Sequence, residues 1–346
     1  MSWVVCQIGG REHYAIPRAL EGRGELGLLA TDFFVPPGSL VGRLPRGQRL
    51  RDRWHSDLEE AEVWAPNLRL LGFEARERLQ KGAGWSQILR RNALFQSLTI
   101  RRLELQGLPD GEEVTLFSYS YAAGELFRYG KKRGWRLVLG QIDPGPAEER
   151  IVAAEHDRYP GLGSSWSPVP VSYWESWRKE LALADHVVVN SEWSRQCLLK
   201  EGVAEGKIES VPLVYKRADH EQNVRVAWSE ARPLRLLFLG KINLRKGIAR
   251  LLEAMRLLKD EAVELVLVGA SEIDEKAWED LPKVKWLGPV PRSEVGKHYR
   301  ESDVFLLPTL SDGYALTQLE ALSYGLPGWL RGIAARRLRK GSMGGC

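Results

Sequence analysis

Nine short runs rich in Val and Leu, separated by amphipathic stretches along almost the whole chain, restrict the fold more than any other feature. They are Trp3–Ile8, Leu26–Thr31, Val114–Tyr119, Arg136–Ile142 and His186–Asn190, then Leu234–Leu239, Val263–Val268, Val284–Leu287 and Val304–Leu307. Most are continuous rather than alternating, which is the pattern of strands buried on both faces of a parallel sheet. Helical periodicity fills the gaps, as at Gly247–Lys259, Ser293–Arg300 and Thr317–Tyr324. Strand–helix alternation predicts βαβ units and an α/β fold.

A chain of 346 residues suits two domains. Polarity rises over Arg217–Arg232, just before the strand at Leu234, which marks a boundary. The expected division is a first domain at 1–215, a linker at 216–233, a second domain at 234–327 and a tail at 328–346. In the first domain, Glu74–Gln106 reads as a long helical stretch broken near Gly82–Gly84. Pro36–Gly47 reads as a loop beside a cleft. No apolar run reaches the ~18 residues of a membrane span, and the N-terminus reads as a first strand rather than a signal peptide. Cys6, Cys197 and Cys346 are far apart and lack metal-ligand spacing. Such usage favours a reducing, cytoplasmic compartment, with Cys6 and Cys197 as small core residues.

The isoelectric point near 9.0 suggests an anionic partner. The net charge of +5, however, is all in the tail, where Arg331, Arg336, Arg337, Arg339 and Lys340 have no acid beside them. Residues 1–327 are balanced, without the basic stripe that nucleic-acid binding requires.

Four stretches of the second half carry chemistry together. In LLFLGKINLRKG a strand ends at Gly240, Lys241 follows, and Lys246-Gly247 opens a helix. A strand end, a glycine turn, two cations and a helix N-terminus suit a diphosphate; the bland alternative is an ordinary loop with solvated lysines. Val263–Gly269 is another strand closing on glycine, and Trp286–Val290 (WLGPV) is a turn able to face a flat base. The strongest is LLPTLSDGYALTQLEALSYGLP, with Asp312 in a loop and Glu320 eight positions on, inside a helix. Both carboxylates can accept hydrogen bonds from sugar hydroxyls. Glu320 is flanked by Leu319, Ala321 and Leu322, so the acid needs a partner.

Together with ELALADHVVVNSEWSRQCLLKEGVAEGKIESVPLVY and Gly9-Gly10 in the first half, these motifs resemble glycosyltransferase family 4. The likeness runs from about residue 3 to Pro327. It implies the GT-B architecture, two Rossmann-like domains facing a cleft, here with the second domain incomplete. It also implies a retaining hexosyltransferase that takes sugar from a nucleoside diphosphate donor. On that likeness Lys241 and Lys246, with Gly240 and Gly10, bind the donor diphosphate, Asp312 holds the sugar and Glu320 the ribose. The family's usual pair is Glu with Glu; Asp312 is one methylene shorter. A family His is absent from GQIDPGP, where Asp143 either orients the reacting sugar or, the reading put ahead, is an N-cap or turn residue. His13 reads first as a surface helix residue. No D-x-D occurs, so no metal is expected, and no cofactor beyond the sugar nucleotide. The acceptor is a glycan, a lipid or a small molecule. Trp85–Arg102 allows peripheral membrane docking or, more commonly, packs across a domain.

After Pro327 the pattern of the family stops. GWLRGIAARRLRKGSMGGC shows no strand pattern, and a frameshift after Pro327 is the expected cause, with poor solubility and weak activity as its consequences. The alternative function is therefore a non-catalytic nucleotide-sugar-binding pseudoenzyme or an inactive fragment.

Overall fold

A computed structural model describes residues 2–39, 53–80, 84–163, 166–215 and 228–330. The chain divides into two units. The first holds residues up to Ile142 with Val169–Val211, and the second Asp143–Pro168 with the chain from Pro212 onward.

The first unit contains β1 (Ser2–Gln7), α1 (Ala15–Glu21), β2 (Leu26–Thr31), β3 (Val63–Trp64), α2 (Asn67–Leu79), α3 (Gly84–Gln106), β4 (Val114–Tyr119), α4 (Gly124–Lys132) and β5 (Arg136–Gln141). The chain then leaves for α5 (Pro146–Arg158) of the second unit and returns with α6 (Val171–Leu183), β6 (His186–Val189), α7 (Glu192–Lys200) and β7 (Ile208–Ser210). Its seven strands are all parallel, in the order β3-β2-β1-β4-β5-β6-β7. Alternate residues of a strand point to opposite faces. Val4, Leu28, Leu116 and Leu137 accordingly join one core with Phe127 and Trp177, and Val5, Leu29, Phe117 and Val138 join another with Tyr14. Burial on both faces is why the strands are continuous apolar runs. Cys6 and Cys197 are buried with them. Helix α3 buries Phe95, Leu98 and Leu103 within its own unit, so this face packs rather than meets lipid.

One polar group is deep in this unit. Glu180 of α6, 3% exposed, accepts the backbone N–H groups of Tyr121, Ala123 and Gly124 at 2.7, 2.9 and 3.0 Å. Helix α4 starts there without a capping side chain of its own, and its first amides need acceptors. Glu180 supplies them from another helix.

The second unit continues with β8 (Leu234–Leu239), α8 (Ile248–Leu257), β9 (Val263–Val268), β10 (Val284–Trp286), α9 (Arg292–Arg300), β11 (Val304–Leu307), α10 (Leu316–Ser323) and β12 (Gly328–Leu330). Its parallel sheet has the order β10-β9-β8-β11-β12. Two expectations need correction. The stretch 143–168 was expected in the first domain, yet it joins the second unit. Glu155 of α5, with its side chain 5% exposed, is held by both arms of Arg250 at 3.0 and 2.9 Å. Tyr159 donates to Glu253 at 2.9 Å, and Tyr159 and Leu162 pack on the core of α8. Two long-range acid–arginine pairs, Glu155–Arg250 and Glu148–Arg245, and two apolar anchors outweigh chain proximity. Second, Gly328–Leu330, expected to lack strand pattern, pairs in parallel with Phe305–Leu307 of β11. Alignment with a preformed strand suffices for three residues. Of the expected linker and tail, 216–227 and 331–346 lie outside the described residues.

Candidate functional site

In an open parallel sheet, ligands bind beyond the carboxyl ends of the strands, where the strand order reverses. In the second unit this point is between β8 and β11. The loops leaving these two strands are tied together. Leu310 N–H donates to the Arg245 carbonyl at 2.9 Å. Gly247, at φ +76°, lies against the carbonyl of Pro308, where a Cβ would collide. Asn243 caps the short turn Leu244–Lys246, its Oδ1 accepting the Lys246 N–H at 3.1 Å while its Nδ2 donates to Glu272 at 2.9 Å.

Four of the expected donor residues are here. Gly240 ends β8 and donates its N–H to Val268 at 2.9 Å. Lys241, with 53% of its side chain exposed, pairs with Glu272. Burial would raise the Glu272 carboxyl, but Lys241 and Asn243 hold it below its ordinary value. Lys246 pairs with Asp312; the side chains are only 14% and 17% exposed. The structure thus joins Lys246 to Asp312 and gives Lys241 a different acid.

Beside that pair Arg245 lies 3.2 Å from Glu148 of α5. Burial raises the Glu148 carboxyl; Arg245 opposes this, Asp143 adds to it, Ser311 opposes it and Asp312 adds to it. Burial disfavours the Arg245 charge, yet Glu148 and then Asp312 hold its pKa above the ordinary value.

Glu320 is on α10 and finds the partner its apolar flanks demand. Tyr299, fully buried, donates its hydroxyl to Glu320 Oε2 at 2.9 Å, and Arg292 is 3.9 Å from Oε1. Burial, followed by the Glu320 charge, pushes the Tyr299 phenol far up, so it remains a donor. Tyr299 also stacks on Tyr324, with centroids 5.2 Å apart.

Of the two remaining expected residues, Asp143 has a turn role close enough to act on Glu148 and Arg245, and Gly10 stands elsewhere. Asp143 accepts the Gly145 N–H at 2.8 Å, a turn role just before α5. Gly10 belongs to the first unit, where its carbonyl accepts the His13 N–H at 3.2 Å. His13 is not on a regular helix: Glu12, His13 and Tyr14 have φ of 52°, 54° and 59°. Sequence reasoning missed Arg245, Glu148, Glu272 and Tyr299. Arg245 adjoins a chosen lysine, and Glu148 is two positions after GQIDPGP, so both were within reach; Tyr299 had no local signal. Among the described residues no group of three or more His, Cys, Asp or Glu is placed to hold a metal ion, and no helix is long and apolar enough to cross a membrane.

The profile of a family described as "Glycosyl transferases group 1" matches residues 233–328, which span both of these loops. The amylovoran biosynthesis glycosyltransferase AmsK of Erwinia amylovora is 29% identical over 119 residues, covering 30% of this chain and 29% of AmsK. An uncharacterized glycosyltransferase of Methanocaldococcus jannaschii, MJ1607, is 31% identical over 100 residues, covering 27% of this chain and 25% of that one. The matches thus span less than a third of these two relatives. Among solved structures, Anabaena HepE in complex with UDP and glucose superposes with a TM-score of 0.58 at 13% identity, over 97% of this chain and 82% of HepE. That likeness carries the fold, two Rossmann-like α/β units of the GT-B type. The domain at residues 233–328 belongs to the group 1 glycosyltransferases.

Proposed function

We propose that this chain transfers a hexose from a nucleoside diphosphate donor to a glycan or lipid acceptor, with retention of configuration, and that the donor occupies the second unit. The observation that carries the reading is the Lys246–Asp312 pair at the strand-order reversal of a group 1 glycosyltransferase domain. An incoming diphosphate competes with Asp312 for Lys246 and with Glu272 for Lys241. Asp312, released, accepts a hydroxyl of the sugar. Lys241 and Lys246 then stabilise the negative charge that builds on the leaving nucleotide. Glu320, positioned by Tyr299, accepts the ribose hydroxyls. In the first unit, Gly10 lets the backbone approach a phosphate or the acceptor. Arg245 adds a third cation beside Lys246. The liganded relative supports the donor class, since HepE is described with UDP and glucose.

The test is isothermal titration of the full chain with UDP and with GDP, repeated on Glu320→Ala and Glu320→Gln. One nucleotide should bind. Both variants should weaken it by roughly 10- to 100-fold, the worth of a hydrogen bond to a charged group. Glu320→Gln still offers Tyr299 an acceptor, so its loss reports on the ligand rather than on the fold. No binding by the folded wild-type chain would reject the donor site. Binding without sugar transfer to any acceptor would favour a nucleotide-sugar-binding pseudoenzyme.

A further inference from the structure

The face of a surface helix opposite the core meets water and is normally its most polar. Helix α2 departs from this. It buries Leu70 and Glu77. At about 100° per residue, the line directly opposite carries Leu68, Gly72, Ala75 and Leu79, all exposed. Leu68 and Leu79 are 75% and 86% exposed. They end an apolar ridge about 16 Å long, at about 1.5 Å of rise per residue.

Charge is sorted around that ridge. Both acids of α2 turn toward arginines of α3: Glu77 is held by both arms of Arg90, and Glu74 is 3.8 Å from Arg91. The cations stay outside. Arg69 and Arg76 flank the ridge on one side and Arg78 on the other, all three exposed. None of them makes an ion pair among the described residues; Arg76 acts on Glu77 only through space. Arg78 also lines a cleft of ≈ 290 Å³ with Phe73 of α2 and Ile88 of α3, and the exposed Ile88 adds to the apolar surface beside the ridge.

We propose that α2 docks this protein on an anionic lipid surface, lying in the plane of the interface with Leu68 and Leu79 inserted and Arg69, Arg76 and Arg78 on headgroup phosphates. A protein partner would have to bring matched acids to both flanks of a protruding ridge. A membrane interface needs no such match. The leucines enter the acyl boundary, and arginines reach the phosphates on long apolar stems. The surface belongs to the first unit alone and does not rest on the reading of the donor site.

Flotation of the full chain with vesicles tests this, because aggregates do not rise. One set of vesicles is phosphatidylcholine alone, and the other is phosphatidylcholine and phosphatidylglycerol in equal parts. The wild type should rise with the anionic vesicles only, and less so as salt increases. The triple variant Arg69→Gln, Arg76→Gln, Arg78→Gln should bind them on the order of 100-fold more weakly, since each cation near such a surface is worth about fivefold. The double variant Leu68→Gln, Leu79→Gln should bind at least about 10-fold more weakly. Both variants should melt with the wild type, because the changed side chains are exposed. Leu257→Gln, on the 85% exposed leucine of α8, should bind as the wild type does. A wild type that leaves both kinds of vesicle unbound would overturn the inference and make a protein the remaining occupant of the ridge. Binding that survives both α2 variants would overturn it too, and would belong to the cationic residues of the tail. Loss in the arginine variant with none in the leucine variant would show a purely electrostatic contact, and the insertion of α2 would be wrong.

Discussion

Gly247→Ala should lower the melting temperature by roughly 6–12 °C and abolish nucleotide binding. Gly247 sits at φ +76° between the turn Leu244–Lys246 and α8. A side chain there costs about 1–2 kcal/mol for the left-handed backbone alone. The larger cost is contact: the added Cβ would overlap the carbonyl oxygen of Pro308 and lie 2.9 Å from its carbonyl carbon and 3.2 Å from its Cβ. Both partners are backbone or proline ring and cannot swing aside, so one loop must shift. A total of about 3 kcal/mol gives the stated change in melting temperature for a unit of this size. The shift separates Lys246 from Asp312, which the same two loops carry. Thermal melting and nucleotide titration of one preparation check it; an unchanged melt would show that the two loops are not tightly coupled.

The second large effect is expected in the other unit. Glu180→Ala should destabilise the first unit by roughly 3 kcal/mol or more, because three backbone N–H groups lose the carboxylate that accepts them and each orphaned buried group costs about 1–3 kcal/mol. Part of the loss is recovered if water enters the space. Glu180→Gln retains one oxygen and should fall between Ala and wild type. Urea unfolding of the full chain, followed by tryptophan fluorescence, reads this, since Trp177 on the same helix is 1% exposed. Equal stability of Ala and wild type would mean that the α4 start is satisfied in another way.

Much of this architecture was legible because it rests on burial, which leaves a mark in sequence. The boundaries of Leu26–Thr31, Val114–Tyr119, Leu234–Leu239, Val263–Val268 and Val304–Leu307 coincide with observed strands. Val63–Trp64, Ile208–Ser210 and Gly328–Leu330 are too short to carry a period and exist through pairing with a longer neighbour. The site divided in the same manner. Lys246, Asp312 and Glu320 stand next to glycine turns and apolar strands, so their place could be read. Glu148 and Tyr299 reach the site from other elements by long-range contact, and Glu180 caps a helix 56 residues away. No window of local sequence contains such pairings.

The departure of 143–168 from its sequence neighbours also bears on how the protein is made. Glu155 and Arg250 are 95 residues apart in the chain. A ribosome delivers α5 between β5 and β6, well before the strands of its own unit. During that interval Glu148 and Glu155 have no arginine partners, and Tyr159 and Leu162 have no core to cover. Meanwhile the first sheet gains β6 and β7. The second unit is thus assembled from an early fragment held in waiting and a late one. A graft of residues 233–328 into a relative transfers the late fragment alone, so a working exchange of this unit must carry two pieces of gene.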